Sequence, residues 1–176
     1  HEVRIVEPTE TEDPDDPVTP TDTVPQGDTG EIILQGPPRM ERYWNRPEKT
    51  ADAIRDGWFF TGDAGYFNED DYLFLVDRID DMIISGGENI YPTEIENVLY
   101  DNDGVEEAAV IGVEDDECGE RVVAYVIGDG LDAETLDEFC LNNDELADFK
   151  RPREYHIVDE LPRNPSGKIQ KFKLRN

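Results

Sequence analysis

The sequence predicts an α+β fold in which a small, mainly β unit precedes a compact α+β domain. Before residue 78, apolar residues occur in short runs typical of strands, separated by prolines and glycines. After residue 79, strand-like runs alternate with two segments whose apolar residues follow the period of a helix. The 176 residues suffice for one ordinary domain or two small ones. We therefore expect two domains, at residues 1–78 and 79–176.

The first unit begins with a strand-like run at residues 2–6. Residues 7–30 are rich in Pro, Thr and Asp, so we expect an extended, poorly ordered acidic loop that buries little apolar surface. A short helix is predicted at residues 46–53, because a proline and an acid occupy its first turn. Three further strands are predicted, at residues 31–34, 58–61 and 72–76.

The second unit has the more regular pattern. Its best-marked element is a helix at residues 92–100, with Pro92 and Glu94 near its start and three apolar residues on one face. A second helix is predicted at residues 133–142. Strands are predicted at residues 82–85, 108–113, 122–127 and 155–158.

The composition is strongly acidic, with 44 Asp and Glu against 16 Lys and Arg and a formal net charge of −28. The apolar runs exclude a disordered acidic tail for most of the chain. An acidic excess with only five lysines predicts a halophilic protein, because concentrated salt screens its self-repulsion. Residues 150–176 are cationic, with eight basic and three acidic residues. This segment is short and the rest of the surface repels phosphates, so a nucleic-acid partner is disfavoured.

The cysteines and the hydropathy indicate a soluble, cytoplasmic protein. Cys118 and Cys140 stand apart without metal-ligand spacing, so neither a disulfide framework nor a metal site is predicted. No apolar run approaches the roughly 18 residues of a membrane helix, and no signal-peptide pattern opens the chain, so we expect no membrane insertion. The chain opens on His1 beside a strand-like run, which suggests a piece of a longer protein.

Two polar clusters stand out in the first half of the chain. In residues 58–63, a run of large apolar residues ends in a glycine turn that presents Asp63, whose carboxylate can accept two hydroxyl hydrogen bonds from a ribose. Alone, this cluster is more often a capped turn. In residues 76–92, a charged linker joins two strand-like segments, and Gly86-Gly87 permits unusual backbone angles or close approach of a ligand. By composition alone, the second cluster is a hairpin with a solvated turn.

The third cluster, residues 161–169, is a proline-bounded loop that ends near Lys168. An ammonium on a rigid loop can neutralise the charge that builds when a carboxylate attacks a phosphate. A lone exposed lysine is usually only a surface charge, and for this loop by itself that interpretation stays open.

Taken together, in this order and at this spacing, the three clusters resemble the C-terminal signature of the adenylate-forming superfamily. This superfamily includes acyl-CoA synthetases, luciferases and the adenylation domains of peptide synthetases. The resemblance implies that residues 1–78 end an N-terminal domain with a small β-barrel-like subdomain. It also implies that residues 79–176 form a C-terminal lid domain, which swings about a hinge near Asp80. Smaller matches occur at Gly30-Glu31-Ile32, Gly57-Trp58, Glu94-Ile95-Glu96 and Gly119-Glu120.

The resemblance also implies roles for single residues. Asp63 would bind the ribose hydroxyls of ATP or of the acyl-adenylate, and Arg78 would contact the same nucleotide. Lys168 would approach the substrate carboxylate and the α-phosphate during adenylation. The strand around Ser85, Gly86 and Gly87 would face the CoA pantetheine.

The basic run near residue 150 offers further candidates for CoA binding. Lys150, Arg151 and Arg153 could contact the phosphates of CoA. A basic run is, however, more often a plain solvated surface.

The function implied by the resemblance is that of an ATP-dependent acyl-CoA synthetase. Such an enzyme converts a carboxylic acid and Mg-ATP into an acyl-adenylate and diphosphate, and then transfers the acyl group to CoA with release of AMP. The main ATP and acyl pockets and most Mg²⁺ contacts would belong to a missing N-terminal part, so the fragment alone is expected to be inactive. Residues 83–92 most resemble fatty-acyl and aryl-acid members.

Two alternatives to the CoA ligase are a peptide-synthetase adenylation domain and a non-catalytic regulatory or interaction domain that keeps the fold. No carrier domain follows Lys168 in the chain, which favours a free-standing ligase. The presence of Lys168 together with Asp63 and Arg78 argues against a non-catalytic domain.

Overall fold

The computed structural model describes residues 2–9, 13, 15–37 and 39–175. The chain divides into two compact units, His1–Asp80 and Asp81–Asn176. Each unit has a sheet of its own, and helices accompany both, so the predicted α+β class is confirmed. Among the described residues, no helix combines the length and the hydropathy that a membrane crossing requires.

The first unit is a five-stranded antiparallel sheet that curls into half a barrel. Its strands are β1 (Glu2–Val6), β2 (Gly30–Gln35), β3 (Ile54–Arg55), β4 (Trp58–Phe67) and β5 (Leu73–Arg78). They lie in the order β1-β2-β4-β3, with β5 also paired to β4, and helix α1 (Pro47–Ala53) precedes β3. The buried core of this sheet consists of Val6, Ile33, Trp58 and Phe60.

Part of the acidic loop that the sequence predicts at residues 7–30 folds back onto β1. The Glu7 N–H donates to the Asp22 carbonyl at 2.9 Å, and the Val24 N–H donates to the Ile5 carbonyl at 3.1 Å. Residues 10–12 and 14, for which poor order was also expected, lie outside the described residues.

The second unit pairs five strands with two helices. The strands are β6 (Ile83–Ser85), β7 (Glu88–Ile90), β8 (Val105–Asp115), β9 (Gly119–Gly128) and β10 (Glu154–Ile157). Their order is β10-β9-β6-β7 with β8 also on β9, and only the β10–β9 pair is parallel within the described chain. Helix α2 (Pro92–Tyr100) starts at a proline and buries Ile95, Val98 and Leu99, as its pattern predicts. In α3 (Ala133–Leu141), the Asp132 side chain accepts the Thr135 N–H at 2.8 Å.

Two expectations about local structure were wrong. The strand predicted to end at residue 61 continues to Phe67, because Gly62, with φ +70°, bends β4 without ending it. The charged linker does not close a hairpin between the segments that it joins, since β5 and β6 belong to different sheets and a short 3-10 helix, Ile79–Asp81, lies between them. The hairpin is formed by β6 and β7 instead, and β7 is too short for a periodic pattern to reveal.

Candidate functional site

Asp63 lies in a bulge of β4. Residues 61–63 of β4 face the single residue Ile32 of β2, while the two strands pair regularly on either side. The Thr61 hydroxyl donates to the Ile32 carbonyl at 2.7 Å and accepts the Asp63 N–H at 3.1 Å. Bulges of this kind change the direction of a side chain and are common beside active sites. The bulge therefore fixes the backbone from which the Asp63 carboxylate projects.

Arg78 lies directly opposite Asp63 in the β4–β5 ladder and forms an ion pair with its carboxylate. The guanidinium also donates to the Thr61 carbonyl at 3.4 Å and lies 3.6 Å from the Asp80 carboxylate. Partial burial by itself lowers the pKa of Arg78, but the hydrogen bonds and charges of Asp63 and Asp80 outweigh it and raise the pKa. The Asp63 and Arg78 side chains remain 36% and 41% exposed, so a ligand can reach both.

Asp80, the predicted hinge, lies in the short 3-10 helix and is the last residue of the first unit. Its side chain is 73% exposed, and its pair with Arg78 at 3.6 Å is long for a hydrogen bond. The structure thus brings three of the predicted residues, Asp63, Arg78 and Asp80, into one cluster.

Gly86 and Gly87 form the two-residue turn of the β6–β7 hairpin, next to Ser85. Their φ angles of +60° and +86° are those that a tight hairpin requires and that other residues rarely adopt. A Cβ at either position would meet no atom within 4 Å, so the space above both residues is open. This turn therefore has room for a ligand close to its backbone.

The start of β9 supports this turn. The Gly86 N–H donates to the Cys118 carbonyl at 2.8 Å, and the Ile84 N–H donates to the Glu120 carboxylate at 2.8 Å. Glu120 belongs to the Gly119-Glu120 motif in the sequence, but nothing in that motif predicts its contact with Ile84.

The Lys168 loop is closed by Asn164. Its side-chain oxygen accepts hydrogen bonds from the Lys168 N–H at 2.9 Å, the Ser166 N–H at 3.0 Å and the Ser166 hydroxyl at 2.8 Å. The Asn164 N–H donates in turn to the Lys168 carbonyl at 2.9 Å, and Arg163 donates to the Gly167 carbonyl. The Lys168 side chain is exposed, and within the described residues its ammonium has no ion pair. The loop thus fixes the backbone of the lysine and leaves its charge free.

Lys150 and Arg151, the predicted phosphate contacts, both have carboxylate partners. The Lys150 ammonium donates to the two oxygens of Glu94 at 2.9 and 2.7 Å. Arg151 forms ion pairs with Asp137 and Asp148. A phosphate at either cation would have to compete with these carboxylates, and the assignment to CoA stays a prediction.

The described residues contain no group of three or more His, Cys, Asp or Glu side chains that could hold a metal ion. We assign no chemical step to a metal ion in this chain.

Comparisons with known proteins agree with the resemblance seen in the sequence. The AMP-binding enzyme C-terminal domain family matches residues 94–168. The fatty acid–[acyl-carrier-protein] ligase ScoC of Streptomyces coeruleorubidus is 48% identical over 154 residues, 87% of this chain and 30% of that protein. A 2-succinylbenzoate–CoA ligase of Geobacillus kaustophilus is 48% identical over 151 residues, 84% of this chain and 30% of that protein.

The same similarity appears among solved structures. The o-succinylbenzoate CoA synthetase of Bacillus subtilis, in complex with its acyl-adenylate intermediate, matches 99% of this chain and 34% of its own, with a TM-score of 0.82 and 36% identity. The chain thus spans about a third of the length of the relatives that it matches. Residues 94–168 belong to the AMP-binding enzyme C-terminal domain family, and the chain as a whole is similar to about a third of each of the ligases named above.

Proposed function

We propose that the protein containing this chain is an AMP-forming acid–thiol ligase. It activates a carboxylic acid with ATP as an acyl-adenylate and then transfers the acyl group to the thiol of CoA. The observation that supports this most is the Lys168 loop, which presents an unpaired ammonium on an anchored backbone. The relatives named above are a CoA ligase, a CoA synthetase and an acyl-carrier-protein ligase, which support acyl transfer to a thiol.

In this proposal, Asp63 accepts hydrogen bonds from the ribose hydroxyls, and Arg78 contacts the same nucleotide. Their mutual ion pair and the bulge of β4 set the two side chains in place before the ligand arrives, which reduces the entropy lost on binding. Both side chains are exposed enough to meet a ligand without rearrangement of the sheet.

Lys168 acts in the first half-reaction. The substrate carboxylate attacks the α-phosphorus, the bond to the bridging oxygen of the β-phosphate breaks, and diphosphate leaves. Negative charge builds on the oxygens of the α-phosphate, and a cation placed beside them stabilises the transition state. The ammonium of Lys168 suits this role because no described carboxylate neutralises it.

In the second half-reaction, we propose that the lid domain, residues 79–176, swings about Asp80. The CoA pantetheine then passes the turn at Gly86 and Gly87, where a Cβ would meet open space. Lys150 and Arg151 contact CoA phosphates in exchange for their present carboxylate partners. The CoA thiol attacks the acyl carbonyl, and AMP departs.

The proposed substrate is a fatty or aryl carboxylic acid, and the Mg²⁺ that accompanies ATP is bound outside this chain. We place the reaction in the cytoplasm, which the two free cysteines support, since one of them is partly exposed to the redox environment.

The decisive experiment mixes the full-length protein with ATP, Mg²⁺ and a panel of fatty, aryl and amino acids. We expect diphosphate release with fatty or aryl acids, followed by thioester formation when CoA is added. Release with amino acids alone would indicate a peptide-synthetase adenylation domain. No release with any acid would support a non-catalytic domain and contradict the proposal.

We further propose that the protein is halophilic. Glu31 is the one charged side chain that is buried among the described residues, so the other described acids contribute to a strongly negative surface. Molar salt would screen their repulsion to within a few ångströms. Thermal melting from low to molar KCl should show a rising midpoint, and a midpoint that stays constant or falls would contradict this proposal.

A further inference from the structure

Glu31 is the buried charged side chain of β2, with an exposure of 1%. Its carboxylate has two partners that come from distant parts of the first unit. One oxygen accepts the Gly62 N–H at 3.0 Å, and the other accepts the Thr9 hydroxyl at 2.7 Å. Burying a carboxylate costs free energy, so there must be a reason why Glu31, and not an apolar residue, occupies this position.

The bulge of β4 supplies that reason. Three residues of β4 face one residue of β2 there, so the Gly62 N–H leaves the regular ladder and needs another acceptor. The strand offers none at this point, and the Glu31 side chain replaces it. The carboxylate thus occupies the place that a backbone carbonyl would have in an unbulged sheet.

Gly62 is fixed at a second point, at its Cα. Its φ of +70° favours glycine, and a Cβ there would lie 2.9 Å from a guanidinium nitrogen of Arg78. Gly62 is therefore bound to Glu31 through its own N–H, and its Cα lies against the guanidinium of Arg78. A change at Glu31 would be transmitted to both groups proposed to bind the nucleotide.

We propose that Glu31 is a positioning residue for nucleotide recognition, whose buried carboxylate sets the bulge and thereby directs Asp63 toward the ribose hydroxyls. Glu31 does not touch the nucleotide and acts only through the backbone of Gly62. The inference rests on the proposed function, since it needs a nucleotide at Asp63.

The test compares ATP with 2′,3′-dideoxy-ATP, which lacks both hydroxyls, in the diphosphate-release assay of the full-length protein. The measured quantity is the ratio of kcat/KM for the two nucleotides. In the wild type, we expect a preference for ATP on the order of 10²-fold, from hydrogen bonds to a charged acceptor. Glu31→Ala should reduce this preference to about tenfold, which is a loss of discrimination on the order of tenfold.

Glu31→Gln is the matched control. Its amide oxygen can still accept the Gly62 N–H and its amide nitrogen can donate to Thr9, so the preference for ATP should stay within about threefold of wild type. If Glu31→Ala does not fold, Glu31→Asp replaces it. Its carboxylate is one methylene too short to reach Gly62, and it should lose discrimination although it keeps the charge.

The outcomes separate this inference from the proposed function. A wild type that releases no diphosphate contradicts the proposed function itself. A wild type that discriminates, with Glu31→Ala or Glu31→Asp lowering kcat/KM equally for both nucleotides, shows that Glu31 only stabilises the fold and overturns the inference. A loss of discrimination in Glu31→Gln as large as that in the shortened variants would also overturn it.

Discussion

The Asp63–Arg78 pair in the first unit and the Lys168 loop in the second fix their charged groups in opposite ways. Asp63 and Arg78 form an ion pair across the β4–β5 ladder. The β4 bulge beside them is held by a hydrogen bond from the Gly62 N–H to the buried Glu31 carboxylate. The Lys168 loop has a similarly bound backbone, through the side chain of Asn164, but the ammonium itself has no partner among the described residues.

This difference suits the two different tasks that we propose for these groups. A group that binds the same ligand throughout a reaction benefits from side chains that are set in place beforehand. A group that stabilises charge in one step benefits from a charge that no neighbour neutralises. We therefore expect changes in the first cluster to affect both half-reactions, and changes in the Lys168 loop to affect adenylation alone.

The largest effect should come from Lys168→Ala in the full-length protein. We expect diphosphate release to fall on the order of 10²–10³-fold, because a cation at the α-phosphate is lost. Thioester formation from pre-formed acyl-adenylate should stay near the wild-type rate. Lys173→Ala, which removes an exposed lysine from the same segment, is the control and should change neither reaction. An equal loss of both half-reactions would contradict the proposal that Lys168 acts in adenylation alone.

Asp80→Pro should have the converse effect, because proline restricts the backbone about which the lid domain is proposed to swing. Thioester formation should fall on the order of tenfold or more, with a smaller change in diphosphate release. Asp80→Ala separates the side chain from the backbone, since it removes only an exposed ion pair worth about 0–1 kcal/mol. Wild-type rates for both half-reactions in Asp80→Pro would show that Asp80 is no hinge.

Asn164→Ala tests whether the backbone of the loop matters. It removes the acceptor of three hydrogen bonds. We expect adenylation to fall on the order of tenfold while acyl transfer is spared. Asn164→Asp keeps an acceptor oxygen and should restore most of the rate. If Asn164→Ala slows both half-reactions alike, the loop contributes to the fold and not specifically to Lys168.

The smallest effect concerns Lys150. If it exchanges Glu94 for a CoA phosphate, Lys150→Ala should raise KM for CoA a few-fold, because the cation is only partly buried. The same variant should change KM less for dephospho-CoA, which has one phosphate group fewer. Steady-state kinetics with both acceptors measures this, and Lys173→Ala again serves as the control. An equal rise in KM for both acceptors would instead place Lys150 at the diphosphate that both contain, and an unchanged KM for both would indicate that Lys150 only anchors Glu94.

Sequence patterns predicted most elements because their signals are local. The helix that starts at Pro92 has its start signal and its buried face within nine residues, and the structure begins and ends it as predicted. The strands β8 and β9 were located by their apolar runs, although both are longer than predicted. The three-residue strand β7 and the two-residue strand β3 are formed by pairing rather than by pattern, so both were missed, although the equally short β6 was predicted from its apolar run.

The candidate site, like the fold, could be predicted only in part from the sequence. The sequence by itself determined which side chains are available for the proposed chemistry, Asp63, Arg78 and Lys168, because these groups are recognisable in a motif of fixed spacing. Only the tertiary structure decided that Arg78 faces Asp63, that a bulge lies between β2 and β4, and that Glu31 is buried beneath it. The physical reason is that an unpaired N–H can be recognised only when strands distant in sequence are aligned, and the acceptor that satisfies it lies 31 residues away along the chain.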